Sequence, residues 1–163
     1  MNFTFEKQTI ECIKKLVAEN TTVAITTHYN SDGDAIGSST ALAEVLRQMG
    51  KTVKILLPND YPQFFKWMHG VDDILTLDRH PKPIRKYINE MDLLICLDIN
   101  DLSRTEDLQP LFEQAGKKSI VVDHHINLQI NADAAVSFPE ASSTCELLYH
   151  VLVACGYEKY INK

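Results

Sequence analysis

The stretch DLLICLD, residues 92–98, decides the fold. Leu93 to Leu97 form a continuous apolar run between two aspartates, with no polar residue to face water on either side. A run this short and this unbroken reads as a strand buried on both faces, the kind found where helices cover both sides of a parallel sheet. KSIVVD, residues 118–123, repeats the pattern and also ends in aspartate.

Outward from these two strands, helical and strand patterns alternate. TTVAIT (21–26) and TVKILL (52–57, closed by Pro58) read as strands. Residues 4–19 place Ile10, Ile13, Leu16 and Val17 at helical spacing. Residues 34–50 do the same with Ile36, Ala43, Leu46 and Met49, and stop at Gly50. Residues 142–156 form a helix whose Ser143 and Glu146 fit a capping box. Shorter elements are expected as a helix at 61–70, a strand at 73–77, a helix at 83–90, a helix at 107–116 ending at Gly116, and a last strand at 134–138. The alternation predicts one α/β domain, a Rossmann-like mostly parallel sheet flanked by helices. A chain of 163 residues is long enough to bury a real core. The glycine-rich dinucleotide fingerprint and the P-loop are both absent.

The net charge of −6 argues against sequence-independent binding of duplex DNA, which draws its affinity from clustered lysine and arginine. It leaves room for a phosphate-bearing substrate if metal ions supply positive charge locally. Cys12, Cys96, Cys145 and Cys155 form no C-x-x-C pair and read as buried thiols in a reducing compartment. The N-terminus lacks a basic region followed by an apolar segment, and no apolar run approaches membrane-spanning length, so a cytoplasmic protein is expected.

In open parallel sheets ligands bind beyond the carboxyl ends of the strands. His28, Asp32 and Asp34 follow the strand at 21–26, Asp98 ends the strand at 92–97, and Asp123, His124 and His125 follow the strand at 118–122. Three strands thus deliver carboxylates and imidazoles to one rim, where carboxylates without cations would repel one another. Mixed Asp and His donors suit an octahedral divalent ion such as Mn better than structural zinc, which favours cysteine. The donors outnumber what one ion takes from protein, which fits two ions roughly 3.5–4 Å apart. Taken singly, each residue has a plainer reading. Asp34 could cap the following helix, Asp32-Gly33 could make a turn, Asp98 could pair with Arg104, and the histidines could be surface residues.

At these residues the chain resembles the DHH family of phosphoesterases. THYNSDGDAIGSS, LDINDLSR, the triplet Asp123-His124-His125 and SSTCELLY stand in family order across residues 26–149. The branch they are most similar to is that of bacterial nano-RNases and pAp phosphatases. The resemblance implies a two-metal hydrolase acting on short oligonucleotides or small nucleotides through a metal-bridged hydroxide, with Mn as the ions and Mg as the alternative. It implies that His28 and Asp32 hold the first ion, Asp34 and His124 the second, and that Asp98 bridges both. His125 would face the substrate phosphate, and Asp123 would hydrogen-bond a ligand histidine, completing a catalytic set with Asp98. Arg104 would contact phosphate, with a salt bridge to Asp101 or Asp107 as the competing reading, and Asn30 would support substrate binding.

The family pattern also has a further aspartate in a TDTG-like segment and a C-terminal substrate-binding domain. Neither occurs in these 163 residues, so the resemblance implies an N-terminal catalytic domain cut before its last metal-ligand motif, weakly active or inactive alone. Expected partners are the nucleotide substrate and, in the full-length form, a second copy in a homodimer, with neither duplex DNA nor a membrane among them. The alternatives are a cyclic-dinucleotide or polyphosphate hydrolase of the same family, or a non-catalytic metal- or nucleotide-binding module. Two smaller signals complete the reading. DRHPKPIRK (78–86) is basic and reads as a solvated face. Phe64, Phe65 and Trp67 could stack on bases, but core packing is the commoner role.

Overall fold

The structure, a computed structural model, describes residues 3–161; Met1, Asn2, Asn162 and Lys163, at the ends of the terminal stretches read above, lie outside the described residues. In chain order the elements are α1 (Lys7–Glu19), β1 (Thr22–Thr26), α2 (Gly33–Gln48), β2 (Thr52–Leu57), β3 (Leu75–Thr76), α3 (Pro81–Glu90), β4 (Leu93–Leu97), α4 (Gln109–Ala115), β5 (Lys118–Asp123), β6 (Ala134–Ser137) and α5 (Thr144–Ala154). Among the described residues these six strands form one sheet in the order β3-β2-β1-β4-β5-β6, and every pairing is parallel.

Every residue of β4 is buried, and alternate residues serve opposite faces. Leu93, Ile95 and Leu97 join Val23 and Ile25 of β1 under α1, α2 and α5, against Ile13, Ile36, Leu46 and Leu147. Leu94 and Cys96 join Ala24 and Val121 under α3 and α4, against Ile84, Ile88 and Phe112. Fully burying one such side chain stabilises the fold by roughly 1.5–3 kcal/mol, enough to override the helix preference of leucine. The chain builds outward from β1 through β2 to β3, then returns to β4 on the other side of β1 and builds outward again. The strand order therefore reverses between β1 and β4, and the crevice at their carboxyl ends is where such sheets hold ligands.

The expected long elements are all present, with ends shifted by a few residues. The short ones differ more. The helix expected at 61–70 is a single 3-10 turn, Gln63–Phe65, because Pro62 holds extended backbone before it and Gly70 turns left-handed at φ 84 after it. The strand expected at 73–77 shrinks to Leu75–Thr76, since Val71–Asp73 forms a second 3-10 turn. The helix expected at 83–90 starts earlier, with Pro81 pre-set for its first turn. The helix expected at 107–116 is split. A 3-10 stretch, Leu102–Leu108, precedes α4, and Glu106 at φ 48 and ψ −123 breaks the helical path inside that stretch.

Asp92 fastens the opposite end of the sheet. Its Oδ2 accepts from the N–H groups of Thr22 at 3.0 Å and Thr21 at 3.2 Å, and these two bonds, Thr22 first, hold its carboxyl below the ordinary value. A lowered carboxylate pKa contributes stability that is present above the unfolded value, near pH 4, and is lost as pH falls through the folded value. Asp92→Asn is therefore expected to flatten the acid limb of a Tm-against-pH profile while changing Tm little at pH 7, because the group is exposed and worth less than about 1 kcal/mol. An unchanged acid limb would refute this.

Candidate metal centre

The crevice between β1 and β4 gathers all three polar segments. His28, two residues beyond β1, is buried, and its Nδ1 donates to the Tyr29 carbonyl at 2.8 Å. Ser31 Oγ donates to the His28 carbonyl at 2.8 Å and tightens the loop. Asn30 sits at φ 55 and exchanges two 2.9 Å hydrogen bonds with Asn59, so its carboxamide ties this loop to the β2–β3 connection.

The cap of α2 is Asp32, whose Oδ1 accepts from the N–H groups of Asp34 at 2.9 Å and Ala35 at 3.1 Å. Capping thus belongs to Asp32 and not to Asp34. Asp34 reaches across to the start of α5, where Oδ2 accepts from Thr144 N at 2.7 Å and Oδ1 from Cys145 N at 2.8 Å. A carboxylate at a helix N-terminus is favoured by the helix dipole and by the free N–H groups there. Gly37 permits this docking, since a Cβ at that position would lie 3.2 Å from Cys145 Sγ.

Asp98 is buried between these groups, in the left-handed region at φ 59. A non-glycine residue held there is strained, and such strain collects at functional sites. Its two oxygens face different partners. Oδ2 lies 3.6 Å from His28 Nε2, which is 3.9 Å from Asp32 Oδ1. Oδ1 lies 3.5 Å from His124 Nε2, which is 3.6 Å from Asp34 Oδ2. These separations are long for hydrogen bonds. They match the roughly 3–4 Å between two ligand atoms that share an ion about 2.1 Å from each.

The donor set fits divalent ions. His28 and His124 both turn Nδ1 to a backbone carbonyl, Tyr29 at 2.8 Å and Ala141 at 3.3 Å, which orients Nε2 toward the carboxylates. Burial alone would lower the His28 pKa, but contact with Asp98 and the Tyr29 carbonyl outweighs it and the net shift is upward. For Asp98, burial pushes the pKa up, while the contacts with His28 and the Thr144 hydroxyl more than compensate and hold it low. At 3.6 Å the His28–Asp98 contact is chiefly electrostatic. Both shifts have one cause, a buried carboxylate that is stabilised by positive charge at its faces.

His125 is fixed differently. Asp123, fully buried at the end of β5, accepts from His125 Nδ1 at 2.7 Å through Oδ1 and from His125 N at 3.1 Å through Oδ2. The bond from Asp123 goes to His125, whose backbone N–H the same carboxylate receives in the tight turn that follows β5. On the far side His125 Nε2 meets Arg104 Nη1 at 3.3 Å. Arginine only donates, so Nε2 accepts and Nδ1 carries the hydrogen. The side chain of Asp101 accepts from Ser103 N at 2.9 Å, and the Arg104 carbonyl accepts from Tyr29 N at 2.8 Å, which joins this turn to the first loop. His125 Nδ1 also lies 3.7 Å from Asp98 Oδ1, so His125 could join His124 and Asp98 around an ion.

Two sequence expectations differ from the structure. Cys96 and Cys155 are buried, but Cys12 is half-buried and Cys145 exposed. The Cys145 thiol is pushed up to about 12 by burial of its sulfur and the neighbouring Asp34. Phe64 and Trp67 are not core residues: they are 69% and 82% exposed, on the loop whose Phe65 ring lies 3.6 Å from a Cβ built on Gly33. The basic stretch 78–86 is a solvated face, as expected, with Arg79 paired to Asp60 and Lys86 near Glu90. A cleft of about 420 Å³ between α3 and α4, lined by Arg85 and Lys117, lies near the amino end of β5 and touches none of the centre's residues. Among the described residues no helix is long and apolar enough to cross a membrane.

The strand order thus reverses beside paired Asp and His donors that could hold divalent ions. The sequence model of the DHH family, N-terminal domain, matches residues 22–163, and the chain belongs to this family, whose members are metal-dependent phosphoesterases. An exopolyphosphatase-related protein from Bacteroides fragilis superposes with a TM-score of 0.95 at 33% identity, over 99% of this chain and 48% of that one. The chain thus spans about half the length of that relative. A putative sugar binding protein from Salmonella typhimurium LT2 matches at a TM-score of 0.57 and 13% identity, over 96% of this chain and 44% of its own, a likeness of fold alone.

Proposed function

We propose that this chain provides the catalytic centre of a two-metal phosphoesterase that hydrolyses small nucleotides such as pAp, or short oligonucleotides, with Mn as the ions. The observation that carries the reading is the division of Asp98, each of whose oxygens faces a separate His–Asp pair. His28 and Asp32 hold one ion, Asp34 and His124 the other. Two bound ions supply positive charge at the phosphoryl oxygens and lower the pKa of a water that attacks phosphorus. His125 and Arg104 receive the phosphate from the side, and Asp123 keeps His125 in one tautomer and orientation. Exposed Phe64 and Trp67, beside the start of α2, offer aromatic faces to a nucleobase.

Polyphosphate is the second reading, favoured by the description of the Bacteroides relative. Trp67 is the chain's single tryptophan, so its fluorescence separates the two. With Mg2+ bound, pAp is expected to quench it and tripolyphosphate to leave it unchanged; equal responses would remove the argument for a base-bearing substrate. A Mn2+ titration that counts two ions per chain tests the centre itself, and a count below two would overturn the two-metal reading. Because the chain spans about half of its relative, turnover is assayed on the 163 residues and on the longest polypeptide that contains them.

A further inference from the structure

We propose that Thr144 is a positioning residue that sets the geometry of one half of the metal centre, the half built by Asp34, His124 and Oδ1 of Asp98. The proposal rests on the two-metal reading above. Thr144 is fully buried at the first turn of α5 and reaches two carboxylates with two different groups. Its Oγ1 donates to Asp98 Oδ1 at 2.9 Å, and its backbone N donates to Asp34 Oδ2 at 2.7 Å. Those two oxygens are the ones that lie 3.5 and 3.6 Å from His124 Nε2. Oδ2 of Asp98, which faces His28, receives nothing from Thr144.

The hydroxyl has no local competitor. Inside a helix a threonine hydroxyl usually turns back to a carbonyl of the preceding turn. Thr40 does so in α2, donating to the Ile36 carbonyl at 2.8 Å. Thr144 has no helical turn behind it, and capping is already done by Ser143, whose Oγ accepts from Glu146 N at 3.0 Å. Its hydroxyl is therefore free to cross 46 positions of sequence to Asp98. There it restrains rotation of a carboxylate that His28, His124 and His125 all attract. Groups that orient a metal ligand in this way commonly change metal affinity by about 10–100-fold when removed.

The experiment is a Mn2+ titration of the whole chain, following free Mn2+ and the spin-coupled Mn pair by electron paramagnetic resonance. Thr144→Val keeps the shape and removes the hydroxyl. It is expected to weaken one ion by about tenfold or more and the other by less than about twofold, and to erase the pair signal. Thr144→Ser is expected to restore both ions. If the valine variant does not fold, Thr144→Ala provides the same comparison against serine. Equal weakening of both ions, no weakening, or failure of serine to restore the pair would overturn the positioning role. A wild-type chain that binds fewer than two ions fails the two-metal reading first and takes the proposal with it.

Discussion

Asp98→Ala is expected to abolish binding of both Mn2+ ions at once. No other side chain among the candidate ligands faces both His–Asp pairs, with Oδ2 3.6 Å from His28 Nε2 and Oδ1 3.5 Å from His124 Nε2. Removing it leaves His28 with Asp32, and His124 with Asp34, two protein ligands apiece where a tight site needs more. Turnover of pAp is expected to fall at least about a thousandfold, since both charge stabilisation and the activated water depend on the ions. Equilibrium dialysis against Mn2+ with the assay run in parallel checks it. One tight ion surviving in the variant would show that the carboxylate does not bridge. Asp98→Asn sharpens the test, because it keeps the shape and one oxygen but lacks the charge that the ions require.

His125→Ala separates chemistry from metal capture. Its Nδ1 is engaged by Asp123 at 2.7 Å, and its Nε2 faces the Arg104 guanidinium at 3.3 Å, where the proposed function has the phosphate received. Both ions are expected to bind the variant as they bind the wild type. Turnover is expected to drop by about 10²–10³-fold, the usual effect of removing one group that stabilises transition-state charge. Loss of an ion instead would place His125 among the ligands with His124 and Asp98, and would displace Asp34 from that set. Asp123→Asn should give a smaller fall in turnover of the same kind, as it loosens the orientation of His125 without removing it.

The residues that carry the candidate site were legible because each lies within a few positions of a strand end that the hydrophobic pattern announces. Leu93–Leu97 and Ile120–Val122 could be read as strands from apolarity alone, which places Asp98 and Asp123 at their carboxyl ends. What escaped the sequence depends on long-range contact. Thr144 stood in the sequence only inside the SSTCELLY segment, because its bond to Asp98 exists only once α5 has packed on the sheet. The sequence left open which histidine Asp123 orients, because the triplet itself does not say which ring turns back in the loop after β5. Arg104 stood open between phosphate and salt-bridge roles until the turn that carries it was seen against His125. Residues 61–70 have apolar spacing for a helix, but the prolines and glycine around them leave room for a single turn.

The grip of α5 on Asp34 sets the order in which the centre can mature. The two bonds join positions 110 and 111 residues apart, so they are among the most distant contacts in the chain. Contacts of such high sequence separation form late, after the closure entropy of the intervening loop has been met by nearer ones. A nascent chain that has exposed His28, Asp32, Asp34, Asp98 and His124 already holds every candidate donor, yet Asp34 is still unaligned until the last helix docks. In the two-metal reading proposed above, capture of the ion beside Asp34 would therefore report that α5 has packed against the sheet.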